Sequence, residues 1–347
     1  MTFNQVTENA IKFSFQPNSR KIIKIFFCIL PAILLFSLTH SEFWLISLLV
    51  SVFLIIPYEN KSFTYFPVIH ILFSISMFLL TILQMLILNA FIPYSFFLSI
   101  FGIIVATGIL CFPRFKPFLI WLLIGSVYTA FHFHKDHIFE LNKILLVFGI
   151  AFLSSFFSYF IFMQNKKSLL KFKLKIVTKK FLTNLKTQQQ KLNFISILIH
   201  SLSFGAALFI SSAILFYFGL EEGQWLLWST ISVMQFELQE SLVKSWARLK
   251  GVFIGGSIAF LLCILIPHTP FITLFFFILI PFTLVMFKNY TVAFATRSAC
   301  VVLVGTSIDV SHYLFQYRLE NVLIGACVGL CITLLAHLMI KKSKTNK

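Results

Sequence analysis

The stretch RFKPFLIWLLIGSVYTAFHFHKD, residues 114–136, sets an almost uncharged run between two basic residues and a Lys-Asp pair. Its apolar part, residues 117–133, approaches the ~20 residues with which an α-helix crosses a ~30 Å hydrocarbon core. The whole chain is 59% hydrophobic and 11% charged, against about 25% charged residues in a soluble domain. The sequence therefore predicts an all-α polytopic membrane protein.

Runs of this kind recur along the chain with short charged gaps between them. Twelve can be separated, at residues 22–38, 43–57, 66–88, 91–112, 117–133, 140–163, 194–218, 225–235, 250–266, 270–287, 290–308 and 318–340. The long ones can span a bilayer, and the short ones are expected to tilt, to pair or to cross incompletely. We therefore expect about 12 transmembrane helices.

The charged gaps alternate in sign along the chain. With the N-terminus placed in the cytoplasm, 24 of the 28 lysines and arginines fall on the cytoplasmic side. The opposite side keeps Lys135, Lys143 and Arg318, and Arg297 lies inside a run. Because basic loops are retained in the cytoplasm, this predicts a multi-pass protein of the plasma membrane with both termini inside. The net charge of +17 then reflects topology, since the clustered basic face of a nucleic-acid-binding domain is absent.

A lysine-rich joint at residues 164–193, with nine lysines and no acid, divides the chain into two sets of six runs. The predicted organisation is an N-terminal segment 1–21, a first half 22–163, the joint, a second half 194–340 and a tail 341–347. The joint is either an amphipathic helix in the headgroup layer or a cytoplasmic tether. Six runs per half predict two parallel repeats, and Trp44 and Trp225 follow acidic turns in matching positions.

The second half carries a more specific set of motifs. They are Trp225-x-x-Trp228, Arg248-x-x-Gly251-x-x-x-Gly255-Gly256 and Arg318-x6-Gly325-x3-Gly329. This arrangement resembles the fusaric acid resistance (FUSC) and aromatic acid exporter superfamily, over residues 200–340 in particular. The chain is similar to compact members without large cytoplasmic domains.

The resemblance implies a secondary transporter that exports small organic or aromatic anions. It also implies a periplasmic adaptor of the membrane-fusion class as a partner, beside membrane lipids and, as a further expectation, a homo-oligomer. A second hypothesis stays open, in which the chain is a non-transport membrane scaffold or envelope-assembly component.

The motif residues also have a physical interpretation of their own. The spacing of Gly251, Gly255 and Gly256 behind Arg248, and of Gly325 and Gly329, is typical of closely packed helices in lipid. Trp225 and Trp228 are either interfacial anchors or rings that stack on a substrate.

Arg297 lies deep in its run, between Thr296 and Ser298. A charge at such depth faces a cavity or a partner unless its side chain extends to the interface. We take Arg297 as the counter-charge of an organic anion, with the two hydroxyls as further donors. Snorkelling is the alternative.

Five further charged residues are candidates for coupling or gating. Glu237 and Glu240 lie near the inner face, and either pair with Lys244 or carry a coupled proton. Asp309, Arg318 and Glu320 are expected at the outer end of the last two spans, as a gate or a loop network.

Several chemistries lack their sequence signatures. No Gly-Lys dipeptide occurs, which excludes a Walker A loop, and neither His-Glu-x-x-His nor Gly-x-Ser-x-Gly is present. His132, His134 and His137 are assigned to an outer loop. We therefore expect no enzyme activity, no cofactor and no metal site.

Overall fold

The computed structural model describes residues 19–41, 43–58, 66–135, 140–163, 194–267, 269–305 and 308–345. The predicted joint at 164–193 and most of the segment 1–21 lie outside these ranges. The described residues form twelve α-helices: α1 Ser19–Thr39, α2 Phe43–Ile55, α3 Phe66–Ile87, α4 Phe91–Cys111, α5 Lys116–Lys135, α6 Leu141–Met163, α7 Phe194–Phe218, α8 Gln224–Val233, α9 Leu238–Cys263, α10 Pro270–Phe282, α11 Tyr290–Val304 and α12 Ile308–Thr345.

Eight of these helices are long and apolar enough to cross a membrane: α1, α3, α4, α5, α6, α7, α9 and α12. The helices α2, α10 and α11 are apolar but shorter, and α8 has only 10 residues. The chain is thus a multi-pass, all-helical membrane protein. Both α9 and α12 extend well beyond their apolar runs, because the flanking Leu, Gln, Glu and Lys residues are good helix formers and no proline interrupts them.

The short helix α8 lies between two breaks in the backbone. The preceding turn contains two residues with left-handed backbone conformations, Gly219 at φ 57° and Glu222 at φ 56°. After α8, Met234 is extended, and the amide of Gln235 donates to the Ser241 hydroxyl at 3.1 Å. Buried backbone at such a break must find partners inside the protein. Side chains supply them here, so α8 can end within the bundle.

Helix packing follows a similar scheme in each half of the chain. In the first half α1 packs against α2 and α6, α2 packs against α6, and α3 packs against α5. In the second half α7 packs against α8 and α12, α8 packs against α12, and α9 packs against α11.

The two halves meet unequally along their edges. Helices α4 and α7 share an extensive contact, where a Cβ added to Gly205 would lie 2.7 Å from the Ser99 carbonyl oxygen. The Thr107 hydroxyl donates to the Ser201 hydroxyl across this seam at 2.8 Å. On the other edge α10 makes only small contacts with α1 and α2. Between these edges α5 reaches α8, and this is where the candidate site lies.

Candidate functional site

Three arginines of the second half are buried inside the protein. Arg248 on α9, Arg297 on α11 and Arg318 on α12 are 2%, 6% and 1% exposed. A charged side chain at the centre of a membrane helix costs about 2.5–3.5 kcal/mol on insertion scales, so such residues are rare and face a cavity or a partner. The environment of each guanidinium shows how it is held.

Arg248 joins three helices through its hydrogen bonds. One terminal nitrogen donates to the Ser232 hydroxyl at 2.6 Å and to the Tyr290 hydroxyl at 3.0 Å. The other donates to the Ser229 hydroxyl at 2.9 Å. Its guanidinium carbon lies 4.3 Å from the ring centroid of Phe294. All of these partners are neutral.

Arg297 is held by a hydroxyl and by an aromatic ring. Its Nε donates to the Thr283 hydroxyl at 3.0 Å, in the turn that follows α10. Its guanidinium carbon lies 5.9 Å from the ring centroid of Trp228. The side chain is therefore directed into the protein, and the snorkelling alternative does not describe it.

Arg318 lies against the first tryptophan of the motif. Its guanidinium carbon is 4.0 Å from the Trp225 ring centroid and 5.5 Å from that of Phe294. Its Nε donates to the Ser298 hydroxyl at 3.1 Å. Phe294 thus contacts both Arg248 and Arg318. Cation–π contacts of this kind contribute about 0.5–2 kcal/mol each.

Helix α8 orders the three cations along its axis. From its N-terminal to its C-terminal end, Trp225 contacts Arg318, Trp228 contacts Arg297, and Ser229 and Ser232 accept from Arg248. Trp225 and Ser232 are seven residues apart, which corresponds to about 10 Å of helix. We call these three arginines with Trp225 and Trp228 the arginine–tryptophan site.

The first half closes this site with aromatic side chains. The Tyr128 ring on α5 lies edge-on to Trp225 at 5.4 Å and to Trp228 at 5.8 Å. Trp121 of α5 and Phe53 of α2 contact Trp228 at centroid distances of 6.3 and 6.5 Å. The site is therefore built from both halves of the chain, with the charge on one side and apolar rings on the other.

The charge of the site is not compensated locally. Among the described residues, no carboxylate lies within ion-pair distance of Arg248, Arg297 or Arg318. The three guanidinium groups are close enough to repel one another electrostatically. Hydroxyl groups accept hydrogen bonds from the guanidinium groups and aromatic rings stack against them, but neither carries a negative charge. This arrangement favours binding of an anion.

An ion pair lies beside the N-terminal end of α8. The Glu222 carboxylate, in the turn before α8, accepts from Lys135 of α5 and from Gln224. Burial alone would raise the pKa of Glu222, but the bond to Lys135, the charges of Lys135 and His132 and the bond to Gln224 together hold that pKa below its usual value. The carboxylate is therefore ionised at neutral pH.

Of the five residues that the sequence suggests for substrate binding, four lie together in the structure and one does not. Arg297, Ser298, Trp225 and Trp228 come together, with Ser298 accepting from Arg318. Thr296 instead donates to the Val292 carbonyl of its own helix at 3.0 Å. Trp225 is 6% exposed, so the interpretation as an interfacial anchor is wrong for it.

The residues of the predicted gate, Asp309, Arg318 and Glu320, all lie on α12. This helix begins ten residues before Arg318, which therefore lies about 15 Å from its start. Glu320 accepts from Gln316 at 2.8 Å on an exposed part of the helix. The side chain of Asp309 lies outside the described residues. Glu237 and Glu240 are exposed at the start of α9, away from the site.

Two further sequence-based assignments concern Arg248 and the histidines. The charge count places Arg248 on the cytoplasmic side, but the structure buries it in the site, where it contacts α8 and α11. His132 and His134 lie in the last turn of α5 rather than in a loop, because the helix continues through them to Lys135. His137 lies outside the described residues.

The small residues of the motifs lie at close helix contacts. A Cβ on Gly251 would lie 2.9 Å from a Phe294 ring carbon, and one on Gly255 would overlap the Ala295 carbonyl of α11. Gly256 faces Phe315 of α12. Gly325 and Gly329 bring α12 onto α8, near Leu226 and Val233. These contacts fix the distance between the helices that carry the three arginines.

Sequence reasoning missed the part that Arg248, Tyr290 and Thr283 play. A signal for Arg248 was present: it precedes Gly251 by three residues and Gly255 by seven, so all three share one face of α9. A face that packs tightly against α11 cannot direct its arginine to water. Thr283 lies in a turn, and its place beside Arg297 could not be read from spacing.

A comparison with protein families matches this part of the chain. Residues 207–332 match the family described as fusaric acid resistance protein-like. No curated protein and no solved structure matches the chain. The matched segment contains all three arginines and both tryptophans of the site, and the resemblance drawn from the motifs is confirmed over it. Residues 207–332 of this multi-pass membrane protein are therefore similar to the fusaric acid resistance protein-like family.

Proposed function

We propose that this protein is a secondary transporter that exports small organic anions, aromatic ones in particular. The observation that carries the proposal is the arginine–tryptophan site, where three buried cations lack a carboxylate at ion-pair distance among the described residues. Guanidinium groups bind carboxylates through paired hydrogen bonds. The surrounding rings suit the aromatic part of such a ligand.

The proposal includes an arrangement of the two halves as parallel repeats with twelve membrane segments. Support comes from the recurring helix contacts, in which α1, α2, α3, α5 and α6 pair as α7, α8, α9, α11 and α12 do. Each half also has a shortened second helix, α2 or α8. A substrate site where two repeats meet is the usual location in transporters of this organisation.

The setting of the transporter belongs to the same proposal. The charge alternation supports a plasma membrane location and cytoplasmic termini. A bacterial inner membrane, export, a periplasmic membrane-fusion adaptor and assembly into a homo-oligomer rest on the family resemblance. A scaffold role is the competing hypothesis, and a transport assay separates the two.

The test is uptake by proteoliposomes of phthalate, an aromatic anion that stays ionised at neutral pH and crosses bare lipid slowly. We expect Arg297→Gln to insert and fold normally and to lose about 90% or more of the transport rate, because it removes a buried charge. Arg297→Lys keeps the charge and should retain partial activity. Arg114→Gln, on an exposed turn, is the control and should transport at the parent rate.

Transport by Arg297→Gln at the parent rate would show that Arg297 is not part of an anion site. Absence of transport by the parent protein, with normal folding, would favour the scaffold hypothesis.

A further inference from the structure

Glu222 has an unusual backbone conformation for its residue type. Its φ is 56°, in the left-handed region that residues other than glycine rarely adopt. Its side chain is only 11% exposed. Strained residues of this kind persist only where the surroundings hold them, and they are frequent at functional sites.

The contacts of the Glu222 turn connect both halves of the protein. The carboxylate is bound by Lys135, which belongs to α5 of the first half. The backbone carbonyls of Glu221 and Glu222 accept from the Asn321 side chain, the first at 2.7 Å. Asn321 is 1% exposed and follows Arg318 on α12 by three residues. The turn is thus held at the level of Asn321, one helical turn further along α12 than Arg318.

The Arg318 guanidinium can donate a further hydrogen bond. Its Nη1 is buried and has no hydrogen-bond partner among the described residues. Ser298 occupies Nε and the Trp225 ring covers the guanidinium. Glu222 is the acid that acts on Arg318 electrostatically, although it does not reach ion-pair distance.

We propose that Glu222 is a tethered carboxylate that competes with the transported anion for Arg318, and that Lys135 holds it back from that arginine. This inference rests on the proposed function and makes Glu222 a residue that determines anion affinity. An anion that reaches Arg318 meets a fixed negative charge beside the N-terminal end of α8. Lys135 sets how strongly that charge acts, because it neutralises Glu222 from the other side.

The charged neighbours of Glu222 are consistent with this role at neutral pH. Lys135, His132 and Tyr128 face it from α5, and Arg318 faces it from α12. The pKa of Glu222 lies below its usual value because the bond and charge of Lys135, the charge of His132 and the bond from Gln224 outweigh the effect of burial. The carboxylate therefore competes as an anion, without the need for a proton to leave.

The test measures the dissociation constant of phthalate for the purified full-length protein by isothermal titration calorimetry. Glu222→Gln removes the competing charge and should tighten binding about tenfold, which corresponds to about 1.4 kcal/mol. Lys135→Met releases Glu222 towards Arg318 and should weaken binding. If Glu222 and Lys135 served folding alone, both substitutions would change the dissociation constant in the same direction.

Two controls accompany these variants. Glu140 and Lys143 form an exposed ion pair at 2.7 Å at the start of α6, and Glu140→Gln and Lys143→Met should leave the dissociation constant unchanged. In an Arg318→Gln background, Glu222→Gln should lose its effect, since the group for which it competes is absent. Melting temperatures of all variants check that they are folded.

Unchanged or weaker phthalate binding in folded Glu222→Gln would overturn the inference, as would a gain that persists without Arg318. If Arg297→Gln still abolishes binding in that case, the proposed function stands without the tethered carboxylate. If neither the parent nor Glu222→Gln binds phthalate, both proposals fail together.

Discussion

At the scale of single residues, Arg248 shows why an arginine and a lysine are not equivalent in this protein. Its planar guanidinium donates to two hydroxyls of α8 and to one of α11 while it lies over the Phe294 ring. A lysine ammonium is compact and has no planar face for such stacking. The residue therefore contributes to the site through its shape as well as through its charge.

We predict that Arg248→Lys lowers the melting temperature although it preserves the charge. Hydrogen bonds to charged groups contribute about 1.5–3 kcal/mol each. The three acceptors are reached by two nitrogens of Arg248, and the single nitrogen of a lysine side chain cannot reach all three. Thermal unfolding in detergent measures the effect, with Lys250→Arg, at an exposed position of α9, as the matched exchange. Equal melting temperatures for Arg248→Lys and the parent would contradict this role.

At the scale of helices, the contact between α9 and α11 depends on the lack of a side chain at Gly255. A Cβ there would overlap the backbone of Ala295, two residues before Arg297. The backbones can approach closely only because glycine occupies the contact, as in other small-residue motifs of membrane helices. The same contact sets the depth at which Arg297 reaches Thr283.

We predict that Gly255→Leu destabilises the second half or abolishes its activity, because the isobutyl group forces the two helices apart. Thermal unfolding and phthalate uptake measure this effect. Gly149→Leu is the matched control, since a Cβ at Gly149 meets nothing within 4 Å, and it should behave as the parent does. Normal melting and transport in Gly255→Leu would mean that α9 and α11 pack differently.

At the scale of the whole molecule, the orientation in the membrane follows from the charge asymmetry. We predict that reporter fusions after Lys347 and within residues 188–190 both report a cytoplasmic location, because 23 of the 28 lysines and arginines, without the buried Arg248, fall on that side in the arrangement of twelve segments. Paired alkaline phosphatase and fluorescent protein fusions measure it. A periplasmic signal from either position would contradict the model of twelve membrane segments.

The sequence predicted the number and positions of the helices because apolar runs and charged gaps are local features. It also singled out Arg297, Trp225 and Trp228, since a charge or a tryptophan pair in an apolar setting stands out in one chain. The spacing of Arg248 to Gly251 and Gly255 indicates that Arg248 is buried, but the sequence could not predict that Arg248 and Arg318 join the other three residues in one site. Arg248 on α9 and Arg318 on α12 are brought to α8 by contacts between helices that are distant in sequence. A local sequence pattern does not encode such contacts.

The unequal edges between the two halves have a mechanical consequence. Two bodies fastened along one line, here the glycine-lined seam of α4 and α7, retain mainly one soft motion, which is rotation about that line. Displacement grows with distance from the axis, so we expect it to be largest where α10 meets α1 and α2. An opening at that edge would give the proposed anionic substrate a lateral route to the arginine–tryptophan site.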